Sequence, residues 1–101
     1  MKIISWSTLR EFGEANASAR KPLSAWKEIA KRGRWVGPKD VKEVFAAASI
    51  LSATRVVFNI GGNSYRLVVA VRWGGPKSKG ILFVRFIGTH AEYDKINALE
   101  V

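Results

Sequence analysis

A single histidine, His90, stands near the C-terminal end of the 101-residue chain, in the run Gly88-Thr89-His90-Ala91-Glu92-Tyr93-Asp94. Imidazole is the side chain that both takes and gives a proton near neutral pH, which suits it to general acid or base work. Two arginines, Arg66 and Arg72, interrupt the apolar run from Ser64 to Trp73, and Arg85 interrupts the run from Ile81 to Ile87. Guanidinium groups are planar forks that match phosphate oxygens in pairs. The chain carries 17 Lys plus Arg against 8 Asp plus Glu, a formal charge of +9. Proton-transfer chemistry on a polyanion is the reading these groups suggest.

Cleavage of RNA is the specific chemistry they would suit. A 2′-hydroxyl attacks the adjacent phosphate, so the site needs a base for that proton, cations for the developing charge and an acid for the departing 5′-oxygen. His90 can fill the first or last role, Tyr93 is a second donor or base, and Arg66 can bind the phosphate. Arg72, Arg85, Lys77, Lys79 and Asn63 are further candidates for holding RNA. No clustered carboxylates offer a magnesium site, so neither a metal nor a cofactor is expected. Each residue also has a structural reading. His90 could be a solvated strand-end residue, Tyr93 a core aromatic, Arg66 a charge on an open sheet face, and Arg85 the partner of Glu92, Asp94 or Glu100. Glu92 and Asp94 read as caps or ion-pair partners.

The elements that would position these groups follow from the apolar spacing. Lys2 to Ser5 reads as a short strand. Thr8 with Glu11 matches a capping box, followed by an apolar face of Leu9, Phe12 and Ala15. Asn16 to Lys21 reads as a break, and Pro22 as the first position of a second helix with Leu23, Trp26, Ile29 and Ala30 inward, ending at Gly33. A short helix after Gly37-Pro38 would turn Val41, Val44, Phe45 and Ala48 inward. Three strands follow: Arg55 to Ile60, Ser64 to Trp73 and Ile81 to Ile87, joined at Gly61-Gly62-Asn63 and across Gly74 to Gly80. The expectation is one α+β domain over residues 1–101: an N-terminal strand and two to three helices packed on a small antiparallel sheet.

Alternation puts Arg66 and Arg72 on one face of their strand, six residues and about 20 Å apart, too far to share one phosphate. Arg66 lies at the end that an antiparallel neighbour would bring close to Gly88 and His90. Counting from a loop centred on Lys77 sets Arg85 opposite Val69, on the other face from Arg66, and a register slip of one residue would unite them.

Composition narrows the setting. The absence of cysteine leaves no disulfide framework and no thiolate metal site. The basic residues are dispersed from Lys2 to Lys95, and no apolar stretch approaches the roughly 20 residues of a spanning helix. Met1 to Trp6 does not read as a signal peptide. A cytoplasmic protein without a membrane partner is expected.

Three stretches carry a family resemblance: Val57-Phe58-Asn59-Ile60-Gly61-Gly62-Asn63, Tyr65-Arg66-Leu67-Val68-Val69, and Val84 to Asp94 with its Gly88-Thr89-His90 motif. With the Trp26 helix, Trp35 and the segment from Pro38 to Phe45, they resemble the HigB branch of the RelE/ParE toxin superfamily along nearly the whole chain. The resemblance implies a RelE-like fold and a type II toxin that cuts mRNA on the translating ribosome. It also implies an adjacent helix-turn-helix antitoxin of HigA type. By position, Arg66 matches the phosphate-stabilising strand arginine of RelE-like nucleases, while His90 and Tyr93 fall in the segment supplying the remaining catalytic groups. The paired lysines of the best-known RelE type are not evident before the Gly-Gly-Asn turn. A ParE-like topoisomerase poison and a non-catalytic RNA-binding module are the alternatives from other functional classes.

Overall fold

The computed structural model describes residues 1–101. In chain order its elements are β1 (Lys2–Ile4), α1 (Trp6–Ala15), α2 (Ala17–Arg32), α3 (Pro38–Val44), β2 (Ser49–Ser52), β3 (Arg55–Ile60), β4 (Tyr65–Arg72), β5 (Ile81–Thr89) and α4 (His90–Tyr93). The sheet runs β1-β5-β4-β3-β2. The expected meander is present as β3-β4-β5, antiparallel throughout. Each edge gains a strand, β2 antiparallel to β3 and β1 parallel to β5, so the full sheet is mixed.

Alternation sorts the sheet into two faces. Phe58, Leu67, Val69, Val71 and Leu82 turn toward the helices and bury with Leu9, Leu23, Trp26 and Trp35 in the main core. Phe58 lies at its centre, with the rings of Phe45, Trp26 and Trp35 at 5.0, 5.4 and 6.3 Å. The outer face carries a smaller cluster of Val57, Val68 and Ala98, against which Phe86, Tyr93, Ile96 and Val101 pack. Arg55 holds this C-terminal segment down by donating from Nη1 to the carbonyls of Ala98 and Val101.

The helix boundaries differ from those the spacing predicts. Ser5, at φ 53°, is the cap of α1, so Thr8 lies inside the helix and forms no capping box with Glu11. Asn16 alone separates α1 from α2, because its backbone and side-chain N–H groups both reach the Phe12 carbonyl and close the first helix. The predicted break to Lys21 is therefore helical, and Pro22 sits inside α2 rather than at its start. There it removes the hydrogen bond to the Ser18 carbonyl and its ring crowds that same carbonyl. Ala15, Ile29 and Val44 are exposed instead of inward. Phe45 and Ala48 do face the core, but from the loop after α3.

β5 contains a bulge. Phe86 pairs with Val68 and Val84 with Val69, which leaves Arg85 as the extra residue. A bulge reverses the side-chain phase of its strand. Val84 therefore shares the helix face with Leu82 on one side of the bulge, and Ile87 does so on the other. Arg85 is not opposite Val69 as counting predicts; it is exposed on the outer face, with its guanidinium 6.0 Å from the Phe83 ring.

Candidate functional site

The β3–β4 turn builds the first half of the site. Ile60 pairs with Tyr65, and the turn between them places Gly61 and Gly62 at φ 64° and 68°, a left-handed conformation that side chains resist. This brings Asn63 under the Arg66 guanidinium. Arg66 Nη2 donates to Asn63 Oδ1 at 2.6 Å, and Nη1 donates to the carbonyls of Asn63 and Tyr65, each at 3.2 Å. Arg66 is only 9% exposed, so it is a fixed cation and not the solvated charge that alternation alone suggests. Three of its five N–H donors are used on the chain; the Nε–H and one Nη2–H are left for a ligand. Asn63 thus acts on Arg66, holding its fork in place.

β5 brings the second half alongside. Arg66 pairs with Gly88 and Tyr65 with Thr89, and the His90 N–H donates to the Ser64 carbonyl at 3.2 Å. Directly paired residues stand about 5 Å apart, so the backbones of Arg66 and His90 lie within two register steps. Gly88 leaves room for the Phe86 ring and the Glu92 carboxylate: a Cβ there would lie 2.6 Å from Phe86 Cζ and 3.0 Å from Glu92 Oε1.

Thr89 starts α4 with a reciprocal cap. The Thr89 N–H donates to Glu92 Oε1 at 2.8 Å and the Glu92 N–H donates to Thr89 Oγ1 at 3.1 Å. The turn carries His90 Nδ1 to 3.2 Å from Asp94 Oδ2, an i,i+4 contact between half-exposed side chains. A carboxylate at Nδ1 favours the tautomer with its proton there, which leaves Nε2 free to accept another. Sequence reading treats Asp94 only as a cap or ion-pair partner, although i,i+4 spacing from His90 was the available signal for its orienting role. Tyr93 points from the same turn onto the outer-face cluster of Val57, Val68 and Ala98.

The cap gives a pH prediction. Hydrogen bonds from the Thr89 backbone and then its side chain hold the Glu92 carboxyl below its ordinary value of 4.5. A lowered acid contributes stability that is full above the ordinary value and fades as pH falls through the lowered one. The protection factor of the Thr89 amide, its exchange relative to an unstructured chain at the same pH, should therefore hold at pH 4.5 and fall only on further acidification. Glu92→Ala should abolish that dependence.

The remaining sequence candidates do not join this end. Arg72 pairs with Ile81 at the far end of β4, and Lys77 and Lys79 occupy the loop beyond it. Arg85 stands between the two groups on the outer face. Trp73 is half-buried and donates from Nε1 to the Ala53 carbonyl at 2.7 Å. No helix is long and apolar enough to cross a membrane.

Comparison with known proteins adds a family likeness. Residues 19–96, which include Arg66, His90, Tyr93 and Asp94, match a family model described as HigB_toxin, RelE-like toxic component of a toxin-antitoxin system. The chain is 28% identical over 101 residues to the mRNA interferase toxin HigB of Escherichia coli strain K12, covering 98% of this chain and 93% of that protein. It shows the same identity and coverage to proteins named mRNA interferase HigB from Escherichia coli O157:H7 and Shigella flexneri.

Proposed function

The chain belongs to the HigB family of RelE-like toxic components of toxin-antitoxin systems, and we propose that it acts as an endoribonuclease cutting mRNA on the translating ribosome. The observation that carries this reading is that the His90–Asp94 pair and the carbonyl-held guanidinium of Arg66 occur at the same end of β4 and β5. The names of the E. coli and Shigella relatives support the choice of substrate.

In the proposed step, the 2′-oxygen of a nucleotide forms a bond to the adjacent phosphorus as the bond from phosphorus to the 5′-oxygen breaks. His90 Nε2 takes the proton from the 2′-hydroxyl or returns one to the departing oxygen, with Asp94 holding the ring. Arg66 stabilises the charge gathering on the phosphoryl oxygens through its two free donors. Tyr93 is the second proton-transfer candidate.

Orientation supplies much of a cleavage rate, and a domain of this size offers little surface for aligning one RNA bond. Alignment by the ribosome follows, with weak activity on free RNA. Lys27, Lys31, Arg32, Lys77 and Lys79 would meet ribosomal RNA. Ribosome association should then weaken steeply with salt, since each phosphate contact releases counterions. Affinity unchanged between low and moderate salt would remove that docking role. A cognate antitoxin accompanies a toxin of this family, and a HigA-type helix-turn-helix protein covering the basic surface is the form proposed.

The decisive experiment induces the chain in a bacterial host and maps transcript 5′ ends. New ends inside translated reading frames are expected. Growth arrest with altered supercoiling and no new ends would point to a topoisomerase poison instead.

A further inference from the structure

The outer face of the sheet is only partly covered. The C-terminal segment closes over Val57 and Val68, but Ala70, Ile81 and Phe83 belong to neither packed cluster and stay half-buried. They adjoin one another, since Ala70 pairs with Phe83, and Ile81 lies two residues before Phe83 on the same face. Exposed cations frame them. Lys2 and Arg72 both pair with Ile81, from β1 and β4, so the three form one row across the sheet. Two inter-strand spacings separate Lys2 from Arg72, about 10 Å. Arg85 borders Phe83 from the bulge.

None of these cations has a carboxylate partner. The only ion pairs in the chain are Arg32–Glu28 and His90–Asp94. A shallow cleft of about 270 Å³ opens beside the row, lined by Arg72, Ser78, Gly80 and Ile81. Gly80 in its lining has φ 79°, and a Cβ there would lie 2.6 Å from the Arg72 carbonyl and from the Gly74 nitrogen.

We propose that this strip is a second RNA subsite, in which a base stacks on Phe83 while flanking phosphates meet Lys2 and Arg72. It deepens the RNA reading above and rests on it. A flat aromatic with a guanidinium 6.0 Å from its ring centre suits a nucleobase, because every base offers a π-face and arginine adds attraction to the stack. Cations spaced along a row suit a polyanion with regularly spaced charge. Strand rise puts Arg72 about 20 Å from Arg66, so the subsite would hold nucleotides distant from the cut linkage and fix the strand's direction along β4.

The test is binding of a labelled single-stranded 2′-O-methyl RNA to the intact chain across a salt series. That probe lacks the attacking hydroxyl, so binding is read apart from cleavage. Phe83→Leu keeps apolar volume but removes the stack, and should weaken binding about tenfold. Arg72→Gln and Lys2→Gln should each lower the salt slope by about 0.7. Lys21→Gln, an exposed charge on α2, controls for general charge loss. Equal affinity and slope in the parent and all three strip variants would overturn the subsite, as would equal losses in Lys21→Gln. So would strip variants that bind RNA normally but lose affinity for the antitoxin, since the face would then belong to a protein. Absence of transcript cleavage with the binding pattern intact would overturn the nuclease reading alone.

Discussion

His90→Ala should reduce transcript cleavage by about 10²- to 10⁴-fold, the usual contribution of one positioned acid or base. Growth arrest on induction should disappear with it. The imidazole is 49% exposed and its contact with Asp94 is a surface pair, so removal should cost stability only about 0–1 kcal/mol. Circular dichroism, thermal midpoint and antitoxin binding should therefore match the parent, which separates a chemical defect from a folding one. Asp94→Asn should give a smaller loss, because the ring keeps a neighbour at Nδ1 but one that no longer selects the tautomer leaving Nε2 free to accept a proton. Undiminished cleavage in His90→Ala would remove the histidine from the mechanism. Arg66→Ala makes a useful contrast. It would disable the phosphate site, but would also strand the acceptors on Asn63 and Tyr65 at about 1–3 kcal/mol for each that stays buried without a new partner.

Phe58→Ala should destabilise the fold by about 3–5 kcal/mol, a large share of the 5–15 kcal/mol that holds an ordinary domain together. Phe58 is 1% exposed, and the aromatic rings around it come from α2, from the loop before α3 and from its end, so they cannot all collapse into one void. The urea midpoint should fall markedly while the slope stays constant, and emission from Trp26 and Trp35 should report the same transition. A midpoint within error of the parent would mean that the helices and sheet do not share the core described above.

How far the sequence disclosed this arrangement depended on the kind of signal. The alternation of β4 was readable because one face is continuously apolar, and it placed Arg66 and Arg72 together on the other. The Gly61-Gly62-Asn63 turn was readable from its backbone requirements. Helix starts were harder: Thr8 and Pro22 carry the usual marks of a start, but tertiary packing extended both helices past them. Ser49–Ser52 is too short to announce itself as a strand, and it forms only because β3 offers an edge. The bulge at Arg85 leaves no mark in the residue pattern, since it depends on how two strands fit. The burial of Arg66 was not readable, because nothing in the spacing says that the preceding turn would fold beneath its guanidinium.

The pairing of β1 with β5 ties order of synthesis to order of assembly. Lys2 to Ile4 are synthesised well before their partners, Ile81 to Phe83. Contacts so distant along the chain form slowly and late. Until then the nascent polypeptide has neither a closed sheet nor the β5 segment that carries His90. The site therefore assembles only after β5 has been made and has found its place beside β4.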